Sequence, residues 1–149
     1  MGALTPIGIG LDNFWLAAVN GKSGLGEITL FDASNYQLKL AAEVKNFNPA
    51  DFMLPEVFRK ADRFAQMGVA AAKMAIEDAN LTSFINPSKN KIPVIIGSGL
   101  GGSLFHEEQI FNLIENKDPR KVLSSSVPRI APNSVSAFIA MQHKFPINY

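Results

Sequence analysis

The sequence predicts an α/β fold built in layers. Three observations carry this. Runs that suit strands alternate with runs that suit helices along the whole chain. The run Ile92-Pro93-Val94-Ile95-Ile96 is apolar and β-branched, the pattern of a buried strand, and it leads into the glycine-rich turn Gly97-Ser98-Gly99-Leu100-Gly101-Gly102 and then a helical pattern. Hydrophobic residues make up 47% of the chain and charged residues 18%, enough apolar surface for a packed core.

Each element has its own signal. Met1 to Gly8 reads as a loop around Pro6 and Gly8. Asp12 to Asn20 places Phe14, Trp15, Ala18 and Val19 at helical spacing, and Gly21 closes this helix. Lys22 to Gly26 is a turn. Leu38 to Val44 alternates as a strand with one wet face does. Asn48 to Asp51 starts a short helical turn, and Pro55 suits the first position of a second short helix. Asp62 caps the longest helix, Arg63 to Asn80, whose Ala70-Ala71-Ala72 run lets another backbone come close. A polar loop, Thr82 to Lys91, leads to the Ile92 strand. After the glycines, Leu104, Ile110, Phe111 and Ile114 define a helix with Glu107 and Glu108 in its first turns, where the dipole favours acids. Asp118-Pro119-Arg120-Lys121 ends it. Val122 to Pro132 reads as irregular, with Lys121 to Val127 the one strand candidate after that helix. Asn133 to Lys144 is a mostly apolar helix carrying Val135, Phe138, Ile139 and Met141. Pro146-Ile147-Asn148-Tyr149 heads into a new strand. With no leading strand at the start and a strand beginning at the close, residues 1–149 are expected to be a piece of a larger domain, incomplete at both ends.

Composition excludes several function classes. The net charge of +1 gives no global attraction to nucleic acid, so an electrostatic partner must be drawn by a local patch. The absence of cysteine removes disulfides, thiolate zinc sites and a cysteine nucleophile from this chain. His106 and His143 lie far apart without metal-ligand spacing, and no metal is expected. No basic stretch precedes an apolar leader, and no apolar run is long enough to span a bilayer. A soluble, cytoplasmic protein with no membrane contact is the expectation.

The turn Gly97–Gly102 admits three readings. It is a tight strand-to-helix connection with Leu100 tucked into the core, or a flexible loop that offers Leu100 to a pocket. It also fits G-x-G-x-x-G, the dinucleotide fingerprint. That fingerprint needs an acid about 20 residues further on, at the end of a second strand. Asp118 stands before the only following strand candidate, at the wrong end, so a dinucleotide-binding domain is kept only as an alternative.

Several stretches in order resemble one family: Met1 to Gly8, Phe14-Trp15, Gly21-Lys22-Ser23-Gly24, Phe31-Asp32-Ala33-Ser34, Ala61-Asp62-Arg63-Phe64, Ala70 to Lys73, Gly97 to Gly102, Glu107-Glu108 and Pro119-Arg120-Lys121. Together they resemble the N-terminal part of an elongating, type II β-ketoacyl-[acyl-carrier-protein] synthase. The resemblance implies a thiolase-like fold of two similar α/β halves in αβαβα layers, with this chain as most of the first half, lacking its first strand. It implies decarboxylative Claisen condensation between an acyl thioester on a cysteine and malonyl carrier protein, in fatty acid or polyketide synthesis, without a cofactor. The cysteine and two catalytic histidines are expected downstream, in a segment that Pro146 to Tyr149 resembles the start of, and neither His106 nor His143 inherits their role. The fragment alone is expected to be inactive.

Other roles follow from the same resemblance. Leu100, flanked by Gly99 and Gly101, matches a gate at the mouth of the acyl pocket. Ser125 and Ser126 stand where many relatives place aromatic residues at the pocket base. Arg59, Lys60, Arg120 and Lys121 match basic positions that contact the acidic carrier protein; by themselves they are two small solvated clusters. The implied partners are the acyl carrier protein, the C-terminal half of the synthase and a second copy in a homodimer. If the chain is a non-catalytic chain-length factor, the dimer is a heterodimer.

Overall fold

The computed structural model describes residues 1–84 and 92–145. The chain opens on a small hairpin, β1 (Leu4–Thr5) against β2 (Gly8–Ile9), where a loop was expected. The turn closes on itself: the Thr5 hydroxyl donates to the Gly8 carbonyl at 2.9 Å and accepts from the Gly8 amide at 3.1 Å. Helix α1 (Leu11–Val19) follows. It ends as its sequence predicts, with Gly21 at φ 64°, the Gly21 amide on the Ala18 carbonyl and the Lys22 amide on the Ala17 carbonyl. Strands β3 (Leu25–Glu27) and β4 (Leu40–Ala42) form a second antiparallel pair, so the expected turn at Lys22 already becomes strand at Leu25, and the expected strand at Leu38–Val44 keeps only its middle.

Helices organise the rest. A 3-10 turn (Pro49–Asp51) and α2 (Pro55–Phe58) lead to α3 (Arg63–Asp78). Asp62 caps α3 as expected, its carboxylate accepting from the Arg63 amide at 2.7 Å. The helix stops two residues earlier than expected because Asn80 turns left-handed at φ 53°. Helix α4 (Ser103–Asn116) follows the glycine turn, and Glu107 and Glu108 fall in its second turn, beyond the strongest part of the dipole. A 3-10 turn (Pro119–Lys121) follows, and the stretch Val122–Pro132, expected to be irregular with a strand candidate over Lys121–Val127, holds α5 (Ser126–Ile130). Pro128 is compatible with this, because a first-turn amide has no intrahelical partner to lose. Helix α6 (Ser134–His143) matches expectation. Pro146–Tyr149 lies outside the described residues.

The core sits between α3 and α6, with α2 beneath: Met53, Val57, Ala61, Ala65, Val69, Val135, Phe138, Ile139 and Phe145. Val57, Val69, Val135 and Ile139 are fully buried, each contributing about 1.5–3 kcal/mol relative to exposure. Small residues set the spacing. A methyl at Gly68 would stand 2.6 Å from Val135 Cγ1, and one at Gly2 would overlap the Ala71 carbonyl of α3.

The expected buried strand Ile92–Ile96 is not formed. The segment takes no regular secondary structure; Ile92 and Val94 rest on the core while Ile95 is 91% exposed. A strand exists only through its neighbours, and among the described residues none pairs with this one.

Candidate functional site

The glycine turn lies against α5. The Gly102 amide donates to the Ile130 carbonyl at 3.0 Å, and the Gly101 amide donates to the Ser98 hydroxyl at 3.2 Å. Gly101 is left-handed at φ 61°, and a methyl there would stand 2.4 Å from the Ile130 carbonyl oxygen. A methyl on Gly102 would meet the Arg129 carbonyl oxygen, also at 2.4 Å. Glycine is required at both positions because backbone approaches backbone. The near side of the turn is unlike this. Added methyls at Gly97 or Gly99 meet nothing, and Leu100 is 79% exposed. The turn is thus anchored at its C-terminal end and open at its tip. The expectation of Leu100 tucked into the core is overturned.

Ser126 begins α5, half-buried, its hydroxyl donating to the Leu123 carbonyl at 2.5 Å. Ser125 precedes it and is exposed. The turn and the two serines therefore share one element, α5, at its two ends. Buried Gln109 of α4 holds the same region by accepting from the Leu123 amide at 2.9 Å.

The basic residues divide. Arg120 forks onto Asp118, Nε to Oδ1 at 2.9 Å and Nη2 to Oδ2 at 3.0 Å. The guanidinium, then the Arg120 amide, holds the Asp118 carboxyl below its usual range, and Asp118 in turn raises Arg120. Much of the charge of Arg120 is thereby matched locally. Lys60 and Lys121 have no carboxylate partner among the described residues. Arg59 caps the C-terminal end of α2, its Nε donating to the Pro55 carbonyl at 3.3 Å. No hydrogen bond or ion pair joins the two basic pairs among the described residues.

Sequence reasoning passed over Arg129. Its guanidinium lies 4.9 Å above the Phe105 ring of α4, its Nη2 donates to the Arg59 carbonyl, and its Nε is buried without a partner. Glu43 was also missed. It is buried and accepts from the Thr29 hydroxyl at 2.6 Å and from the Thr29 and Leu30 amides, which lowers its carboxyl. Neither residue has a sequence signal, because both depend on backbone groups brought from distant positions. His106 lies exposed on α4. His143 stacks on Phe145 at 5.5 Å with its Nε2 buried, and burial, then Lys73, lowers its imidazole, against Glu77.

A cleft of about 710 Å³ opens between the N-terminal hairpin, α1 and β3, lined by Thr5, Ile7, Leu16, Lys22, Leu25 and Lys45 among others. It does not include Leu100, Ser125 or Ser126. Among the described residues, no cluster of His, Cys, Asp or Glu could hold a metal ion, and no helix is long and apolar enough to cross a membrane.

Comparison with known proteins gives a consistent result. The family pattern described as "Beta-ketoacyl synthase, N-terminal domain" matches residues 1–146. The chain is 35% identical over 142 residues to 3-oxoacyl-[acyl-carrier-protein] synthase 2 of Synechocystis sp., covering 95% of this chain and 33% of that protein. It is 37% identical over 141 residues to the synthase 2 of Staphylococcus aureus, covering 95% of this chain and 34% of that protein. The chain thus spans about a third of the length of these relatives. Among solved structures, the ishigamide ketosynthase/chain length factor superposes with TM-score 0.82 at 25% identity, over 97% of this chain and 36% of that one. A ketosynthase of a type II polyketide system, in complex with its acyl carrier protein, superposes with TM-score 0.74 at 17% identity, over 97% of this chain and 37% of that one. The described fold is a partial thiolase-like half.

Proposed function

Because the chain belongs to the β-ketoacyl synthase family, as its N-terminal domain, we propose that it forms the first part of a condensing enzyme. That enzyme lengthens acyl chains on acyl carrier protein by decarboxylative Claisen condensation with malonyl carrier protein. The observation that carries the reading is the match along residues 1–146, which includes the glycine turn and both basic pairs. The chain holds no cysteine, so the nucleophile comes from the rest of the synthase. There a thiolate accepts the acyl group as a thioester. Carbon dioxide leaves the malonyl unit, the resulting enolate attacks the thioester carbonyl, and the thiolate departs. Donors aimed at the enolate and at the oxyanion lower the barrier in such chemistry.

This chain's own contribution is access and docking. Leu100 serves as the gate, with Gly99 and Gly101 as its hinge, while Ser125 and Ser126 lie at the base of the acyl pocket. Arg59, Lys60, Arg120 and Lys121 steer the acidic carrier, and α4 with its exposed Leu104, Phe111 and Ile114 meets a second synthase chain. A second reading, a non-catalytic chain-length factor, is favoured by the resemblance to a ketosynthase/chain length factor structure. The test is turnover of acyl- and malonyl-carrier protein. The 149-residue chain alone should form no β-ketoacyl product, and the chain continued by the remaining two-thirds that its relatives carry should form it. Carrier binding without turnover in the continued protein indicates the partner subunit; neither binding nor turnover refutes both readings.

A further inference from the structure

We infer that Arg129 is a positioning residue that ties the hinge of the glycine gate to the basic corner at the end of α2. The inference rests on the proposed carrier-docking role of that corner and deepens it into a means of regulating the gate. The main chain of Arg129 and its neighbour carries the anchored end beside the hinge, because the Ile130 carbonyl accepts from the Gly102 amide at 3.0 Å. The Arg129 carbonyl oxygen also lies so close to Gly102 that no side chain fits between them. The side chain of the same residue reaches the other way and donates to the Arg59 carbonyl. Its planar group is steadied on the buried Phe105 ring, which belongs to the helix that the gate leads into.

One residue thus touches three elements. Its carbonyl packs against Gly102 at the anchored end of the gate, its guanidinium lies on Phe105 of α4, and its Nη2 donates to the carbonyl of Arg59, the residue that follows α2. Arg59 and Lys60 sit at that C-terminus, so a carrier that shifts them shifts the acceptor of the Arg129 bond. A planar guanidinium with several fixed donors passes such a displacement on more rigidly than a flexible ammonium does. The tip of the turn, with Leu100 exposed and no neighbour at Gly99, is free to respond. The buried Nε without a partner is a donor that an altered arrangement can satisfy.

The test compares wild type, Arg129→Met and Arg129→Lys in the complete synthase. Met keeps an unbranched apolar side chain beside Phe105 and loses the donors and the charge; Lys keeps the charge but gathers its donors on one nitrogen in place of the planar fork. Carrier affinity is measured with acyl carrier protein by calorimetry, gate exposure by hydrogen exchange at Gly102 with and without carrier, and transfer by KM and kcat. The expected result for Met is carrier affinity within about twofold of wild type, faster Gly102 exchange that carrier no longer alters, and kcat reduced about tenfold at unchanged KM. Lys should recover part of the exchange response. Unchanged Gly102 exchange in Arg129→Met overturns the coupling, and so does a uniform fall in melting temperature, KM and kcat that Lys does not relieve. Absence of carrier binding by wild type overturns the reading of the corner itself, and the coupling with it.

Discussion

Replacing Gly68 by alanine sets two opposed effects against each other. In an exposed helix interior, the change from glycine to alanine stabilises by about 1 kcal/mol. Gly68 is not in that setting. It faces α6, and a methyl would lie 2.6 Å from Cγ1 of Val135, a residue only 1% exposed. Valine in a helix has one strongly preferred rotamer, so Cγ1 cannot swing aside, and α3 and α6 must move apart. Overpacking of this kind costs about 1–3 kcal/mol, and so close a contact belongs in the upper half of that range. The net expectation is a loss of about 1–2 kcal/mol. Val135→Ala alone should cost about 2 kcal/mol, from two buried methyl groups and the space they leave. In the double variant the methyl added at Gly68 enters that space, so the double should be no less stable than Val135→Ala alone. Denaturant unfolding followed by far-UV circular dichroism measures all three. A more stable Gly68→Ala, or single effects that add within about 0.5 kcal/mol, would refute the close-packing account.

Three further predictions concern charge, pH and the pocket. Arg120→Glu with Lys121→Glu should slow carrier association, most at low salt, and equal rate constants at low ionic strength would remove this pair from the docking surface. His143 is held below its ordinary value of 6.5, so the unfolded chain takes up the proton first as pH falls. Its contribution to stability is then full above pH about 6.5 and declines as pH drops toward the folded value. His143→Gln should flatten that decline, and identical pH slopes for the two proteins would count against it. Ser126→Phe should shorten the accepted acyl chain while sparing short-chain transfer; a uniform loss at all lengths would show only that the Ser126–Leu123 contact had been broken.

Local signals in the sequence were the reliable ones. The Asp62 cap, Pro55 at a helix start and Gly21 at a helix end all act within a few residues, and all appear in the structure. Helix α5 escaped notice because its serines and Pro128 resemble loop composition, although a first-turn proline breaks no bond. The Ile92–Ile96 strand failed for the opposite reason. Its residues carry the preference, but pairing is supplied from elsewhere. The candidate site shows the same division. The glycines marked the turn, whereas Arg129, which ties three elements together, looked like any charged residue between prolines. Family resemblance brought Leu100 and the basic pairs into view, and it is silent on the Arg120–Asp118 fork that leaves Lys121 as the unmatched charge.

The Ile92–Ile96 segment, outside both described sheets, has a consequence during synthesis. On the proposed reading, the remaining two-thirds of the polypeptide takes roughly tens of seconds to emerge from the ribosome. The helical core can gather meanwhile, since its buried residues and the side chains packed on them lie within residues 47–145. Through that interval the segment, paired with no strand among the described residues, presents an outward Ile95 to any passing strand. Pro93 is the second residue of that segment and has no N–H to offer. A foreign strand would meet a missing rung, as proline at sheet edges ordinarily ensures. The residue that weakens the segment as a strand thus also guards it against a foreign neighbour.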